Sequence, residues 1–217
     1  MSASQPVRTG RAAPLPPEER RRAIVAALVP LLLEHGGEVS TRQVAEAAGV
    51  AEGTLFRVFP DKPSLLMAAA EEVLNPADAG EQQAEALAGL ESLRDKVLVT
   101  AERMVARAER STVVLMALRR AWMARPPGAG HGTEHEAGHN TGPQAVFKRS
   151  GEALHRMLTE VFTPHADELS VEPETAAVLM RTLVLGSRHP GADDAARLSP
   201  AQITDALLDG VLIREEG

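Results

Sequence analysis

VAEAAGVAEGTLFRVFP, running from Val44 to Pro60, reads as two short helices joined by a tight turn. Val44, Val50, Leu55 and Val58 are spaced to pack the two helices on each other. Ala45 is small enough to let them cross closely, and Gly49 supplies the positive φ that a short interhelical turn demands. Six positions therefore meet separate steric requirements, which marks a helix-turn-helix whose second helix is shaped for a DNA major groove.

The flanking residues extend the pattern. Ser40 and Gln43 form a capping box, with Val39 and Val44 at the staple positions on either side. The second helix therefore runs from about Thr41 to Ala48, and the third from about Ala51 to Val58. Upstream, Pro17 and Glu18 start a helix on which Ile24, Leu28, Leu31 and Leu32 recur at helical spacing. Pro30 interrupts that helix, and His35-Gly36-Gly37 ends it. Downstream, Phe59-Pro60-Asp61-Lys62-Pro63 is a break, with Asp61 capping a fourth helix that carries Leu65, Leu66, Ala69 and Val73. Further helices are expected near 81–107, with a break near Gly89, and near 109–124, 144–162, 172–188 and 199–214, with no strand alternation and no repeat.

Composition supports an all-helical chain. Alanine and leucine are abundant, while four Phe, one Trp and no Tyr leave little β-forming material among 217 residues. There is no cysteine, which excludes disulfides and thiolate zinc sites and suits a reducing cytoplasm. No apolar run approaches the ~18 residues that a membrane span needs, so no membrane partner is expected. The net charge of −7 argues at first against nucleic acid, but it is unevenly spread. Residues 1–66 hold eight Lys/Arg against seven Asp/Glu, a balance of +1, and residues 67–217 hold the remaining −8. Arg8, Arg11, Arg20, Arg21, Arg22, Arg42, Arg57 and Lys62 remain to meet phosphates, and dimerisation would be needed to collect enough contacts.

Thr41-Arg42-Gln43-Val44-Ala45-Glu46-Ala47-Ala48-Gly49-Val50, Gly53-Thr54-Leu55-Phe56-Arg57-Val58-Phe59, Lys62 and Leu65-Leu66 together resemble the tetracycline-repressor (TetR) family of transcription regulators. The resemblance is specific over about residues 20–74. It implies an all-α homodimer of about nine helices, with an N-terminal three-helix DNA-binding domain and a helical body for ligand binding and dimerisation. The segments expected on this basis are an arm over 1–16, a DNA-binding domain over 17–66 and a body over 67–217, with a flexible loop at 125–143. The resemblance also implies dimerisation through helices 172–188 and 199–214. Val178, Leu179, Leu183 and Leu185, with Ile203, Leu207, Leu208, Val211 and Leu212, offer apolar stripes that face either a second copy or the monomer core. Two residues depart from the family pattern. Phe56 stands where the family usually has a tyrosine that touches phosphate, and Ala51 stands where it often has a capping serine.

The candidate DNA-contact residues are Thr41, Arg42, Ala51, Glu52, Gly53, Thr54, Phe56, Arg57 and Lys62. Thr41 is placed to donate to phosphate, and Arg42 to reach phosphate or guanine. Thr54 suits a thymine methyl, a base or a phosphate. Gly53 serves either close approach to the duplex or close helix packing. Glu52 is either an acceptor for cytosine or an acid favoured by the helix dipole. Arg57 is a phosphate contact or a solvated arginine. Lys62, at the start of the fourth helix, is expected to clamp a phosphate.

For the body, Met104, Met116, Trp122, Met123, Phe147 and Met157 are candidates to line an apolar effector cavity, along with Leu115 and Phe162. At helical spacing the same residues also suit plain core. Arg103, Arg119, Arg120 and His155 are possible polar anchors. His131, His135 and His139 fall at helical spacing, but Gly130, Gly132 and Gly138 favour a loop, so no metal and no cofactor are expected. The function read from these features is a sequence-specific regulator, a repressor released from operator DNA by a small, largely apolar effector. An effector-independent regulator or activator, a helical small-molecule carrier and an enzyme are the alternatives. No nucleotide-binding glycine loop or nucleophile elbow supports the enzyme.

Overall fold

The computed structural model describes residues 16–75, 77–124, 143–189, 193 and 197–211, and every regular element among them is helical. Most of the expected arm and loop, including the three clustered histidines, lies outside the described residues, as does Leu212.

Helix α1 (Pro17–His35) begins with proline and two acids, Glu18 and Glu19, in its first turn. Ile24, Val25, Leu28 and Leu32 bury one face. The helix continues through Pro30 instead of stopping there, because Pro30 is exposed and fully buried Leu32 anchors the residues beyond it. Gly36, at φ +61°, reverses the chain, and its N–H donates to the Leu32 carbonyl. A 3-10 turn (Gly36–Glu38) leads to α2 (Thr41–Ala47). The expected capping box is present: Ser40 accepts from the Gln43 N–H, and the Ser40 N–H donates to Gln43 Oε1 at 2.9 Å. Gly49, at φ +66°, makes the turn into α3 (Glu52–Val58). Ala51 caps that helix with no side-chain hydrogen bond. Asp61 accepts from the Ser64 N–H at 2.8 Å and opens α4 (Lys62–Leu74).

The body departs from expectation at one important point. After α5 (Ala77–Leu87), a single helix α6 runs from Leu93–Met123, with no joint near residue 108. Nothing between 93 and 123 breaks a helix, since the stretch contains neither glycine nor proline. The break expected near Gly89 is present: Gly89 takes φ +81°, and Ser92 caps α6 by accepting from the Asp95 N–H. At 31 residues α6 is about 46 Å long. Helix α7 (Pro143–Phe162) follows, then an unexpected 3-10 segment (Thr163–Glu168), α8 (Pro173–Ser187) and α9 (Pro200–Val211).

Two hydrophobic cores result, and α6 belongs to both. The first joins Ile24, Leu28, Val44, Leu55, Phe59 and Leu65 from α1 to α4 with Val114, Ala117 and Leu118 near the end of α6. The second joins Val97, Ala101 and Met104 of α6 with Leu158, Phe162, Met180, Val184 and Leu207. The first core thus does not stop at residue 66, because Ala68, Ala69 and Ala70 of α4 and the far end of α6 complete it. Gly37 marks the closest approach: a Cβ there would lie 3.5 Å from Ala117 Cα.

Gly49→Ala should lower the stability of the fold by about 1–2 kcal/mol, the cost of a side chain in the left-handed region. Thermal unfolding followed by circular dichroism measures this, and an unchanged midpoint would contradict the assigned turn.

Candidate nucleic-acid interface and effector cleft

Burial of Val44, Ala45 and Leu55 turns the other faces of α2 and α3 outward. Arg42, Ala51, Glu52, Gly53, Phe56 and Arg57 are exposed there, with Thr41 and Thr54 half-buried. Thr41 Oγ1 donates to Glu52 Oε1 at 2.6 Å. Glu52 is therefore the first-turn acid of α3, clasped to the start of α2, and the Thr41 hydroxyl expected at phosphate is engaged within the protein. Nothing lies within 4 Å of a Cβ built on Gly53, so helix packing does not require a glycine there. Phe56 is 46% exposed, an aromatic ring with no polar atom on an otherwise polar surface.

Lys62 has a different place from the one its position suggests. Its Nζ donates to the carbonyls of Val39 at 2.7 Å and Gly37 at 3.3 Å. Two of the ammonium's three donors thus brace the start of α4 against the residues that lead into α2. Arg21 also turns inward: it lies 4.7 Å from the centre of the buried Phe59 ring and 3.9 Å from Glu71.

The body contains a cleft of about 420 Å³ between α5, α6 and α7, within the range of small-molecule sites. Of the effector-site candidates, Arg103, Met104 and Met157 line it. Met116, Trp122, Met123 and Phe147 do not; they are exposed on the outer surface. Arg119 is also exposed, and half-buried His155 is not among the lining residues. Phe162 belongs to the body core, and Leu115 packs on the first core. Apolar spacing identified helix faces without telling which of them meet. Arg107, Arg110, Arg156, Gln83 and Leu154 line the cleft and were not anticipated. The available signal was Arg103, Arg107 and Arg110 at i, i+4 and i+7, one face of α6 within an acidic half of the chain. Burial first, and repulsion from Arg110 second, pull Arg107 below the usual guanidinium range. Arg107 donates to the Asn75 carbonyl at the end of α4, 3.1 Å away.

A capped three-helix reader sharing core with a helical body that holds a small-molecule-sized cleft defines a DNA-binding regulator of the helix-turn-helix class. Residues 24–69 match the family model of bacterial regulatory proteins, tetR family. The chain is also 30% identical over 200 residues to the HTH-type transcriptional repressor KstR of Rhodococcus jostii (strain RHA1), a match covering 89% of this chain and 84% of that protein. The chain belongs to the tetR family of bacterial regulatory proteins. Solved structures agree on the fold. The TetR transcriptional regulator SCO0520 of Streptomyces coelicolor superposes with a TM-score of 0.57 at 21% identity, covering 88% of this chain and 98% of that one. Reduced E. coli NemR superposes at 0.59 and 17% identity, covering 91% and 100%. No helix among the described residues is long and apolar enough to cross a membrane.

Two substitutions separate DNA contact from stability. Gly53→Ala should leave the unfolding midpoint unchanged or raised, since alanine favours a helix by about 1 kcal/mol, yet weaken operator binding by crowding the duplex. Phe56→Tyr should tighten binding by about twofold to tenfold, the worth of one net hydrogen bond, with stability unaltered. Fluorescence anisotropy on labelled duplex reads both, and unchanged affinity in both variants would remove α3 from the interface.

Proposed function

We propose that the protein is a transcriptional repressor that binds operator DNA as a homodimer and is released when a small molecule occupies the cleft. One observation carries this reading: α6 lines the cleft over residues 103–110 and completes the reader's core over residues 114–118. A ligand that moves α6 or its neighbours at the cleft acts on an element that shares the reader's core. The Arg107–Asn75 hydrogen bond ties the cleft to the end of α4, and Lys62 ties the start of α4 to the entrance of α2. Operator affinity then falls by linkage if the effector favours the conformer with displaced readers. Repression is supported by the KstR relative, itself a transcriptional repressor.

Arg42, Gly53, Thr54, Phe56 and Arg57 are the proposed contacts, with Thr41, Glu52 and Lys62 shaping the surface and Ala51 at its edge. The DNA-binding unit spans 17–66, supported by α4 and the end of α6. Dimerisation is proposed through α8 and α9. Val178, Leu179 and Leu185 leave an exposed apolar strip on α8, as an unfilled interface does. The apolar stripe of α9 instead turns inward, with Ile203, Leu207 and Leu208 almost fully buried in their own chain, so α9 would meet a partner through its smaller residues. With no cysteine to protect and DNA as its target, the protein is placed in the cytoplasm.

The test is binding to duplex flanking the protein's own coding region, over a range of salt. Arg42→Ala and Arg57→Ala should each weaken binding and reduce the log–log salt slope by about 1, one phosphate apiece. Affinity no better than for a random duplex would overturn the operator assignment. Leu179→Glu combined with Leu185→Glu should yield monomers in sedimentation and abolish tight operator binding. An intact dimer in that variant would place the interface elsewhere.

A further inference from the structure

We infer that the cleft takes an amphiphilic anion, with a carboxylate or phosphate head among Arg103, Arg107, Arg110 and Arg156 and an apolar body against Met104, Leu154 and Met157. This rests on the reading of the cleft as the effector site, and it replaces the largely apolar effector suggested by the sequence with a charged one.

The charge balance is the first argument. Four guanidinium groups face one carboxylate, Glu160, among the lining residues. None of the four arginines makes an ion pair among the described residues. Three arginines outside the cleft are paired: Arg21 with Glu71, Arg94 with Asp205 and Arg188 with Glu109. The larger crevice between α1, α4 and α7, about 520 Å³, offers a contrast. There Arg21, Arg22 and Arg149 are balanced by Glu18, Glu71 and Glu72. Of these two cavities, the cleft is the one whose lining carries unbalanced positive charge, in a chain whose net charge is −7. Like charges one turn apart destabilise a helix, and Arg103, Arg107 and Arg110 stand at that spacing on α6, a cost to which the burial of Arg107 adds. A bound anion removes it.

The second argument is preorganisation. Arg103 Nε donates to Gln83 Oε1 at 3.0 Å. Gln83, only 4% exposed, donates in turn to Thr100 Oγ1 at 2.7 Å, and Thr100 donates to the Lys96 carbonyl at 2.6 Å. A buried chain of hydrogen bonds therefore holds the arginine at the cleft wall, so less side-chain entropy is lost on binding. Met104, Leu154 and Met157, also in the lining, back onto the body core, which supplies a surface for an apolar body.

The head group also explains release. Arg107 holds the neutral Asn75 carbonyl at the end of α4. An anion is the stronger acceptor, so its arrival competes for that guanidinium and loosens α4 at the end opposite the Lys62 brace.

The experiment is calorimetric titration of the full chain with decanoate, decyl phosphate, decanol and decyltrimethylammonium, each below its micelle-forming concentration. Operator affinity is read in parallel. At least one anion should bind tenfold or more tighter than decanol, with the cation weaker than either, and the two anions together identify the preferred head. Arg107→Gln and Arg110→Gln should each cost the anion about tenfold, the scale of a charge-assisted hydrogen bond, while decanol binding stays level. Arg107→Lys should recover part of the loss. Met157→Trp, which fills the cleft, should abolish binding at an unfolding midpoint equal to wild type. The inference is overturned if decanol binds as tightly as both anions, if anion binding survives Met157→Trp, or if no probe binds. Anion binding in the cleft with unchanged operator affinity would uphold the ligand class and defeat effector release. Release by decanol alone would do the reverse.

Discussion

The structure depends on one helix buried in two cores. Helix α6 contributes Val97, Ala101 and Met104 to the body and Val114, Ala117 and Leu118 to the reader. A continuous helix with neither glycine nor proline has no internal hinge. Close-packed cores transmit displacement instead of absorbing it. A shift at the cleft therefore has two outlets: slippage inside a core, or motion of the elements packed on the far end of α6. Gly37 lies at that far end, where a side chain would touch Ala117, and it directly precedes the segment leading into α2.

The reader needs this support. Its α2 and α3 have seven residues each, far below the length at which an isolated helix is stable in water. Caps and contacts replace length. The Ser40–Gln43 box starts α2, Thr41 and Glu52 tie its first turn to that of α3, and Phe59 closes the underside beneath Arg21. Lys62 then fixes α4 to the same junction. Each link is short and polar or fully buried, so the recognition surface is held firmly where α4 and α6 hold it and moves only as they move.

What was legible in the sequence was local. The capping box, the Gly49 turn and the Asp61 cap are decided within a few residues, and all are present. Errors arose where partners are distant in the chain. Lys62 looked like a phosphate clamp because its acceptors, Gly37 and Val39, lie 25 and 23 residues away. A division between helices was expected near residue 108, yet that is where α6 passes between its two cores. The apolar residues of α8 and α9 read alike, but Val178, Leu179 and Leu185 of α8 are exposed while Ile203, Leu207 and Leu208 of α9 are core. Periodicity gives a helix its faces and leaves open what each face meets. The outward faces of α2 and α3 were legible because the two-helix motif fixes its own inward side, whereas the cleft is assembled from three helices far apart in sequence.

Two anion-binding features on one chain raise a question of selectivity, and geometry answers it. The reader carries a balance of only +1, spread over an exposed surface, and suits a long polyanion met by two copies at once. The cleft concentrates four arginines within about 420 Å³ and is backed by a half of the chain with a balance of −8. A duplex is too wide to enter such a space, whereas a single small anion is not. Width therefore separates the two proposed anion sites: the arginine cleft admits small ligands, and the exposed faces of α2 and α3 are open to a duplex.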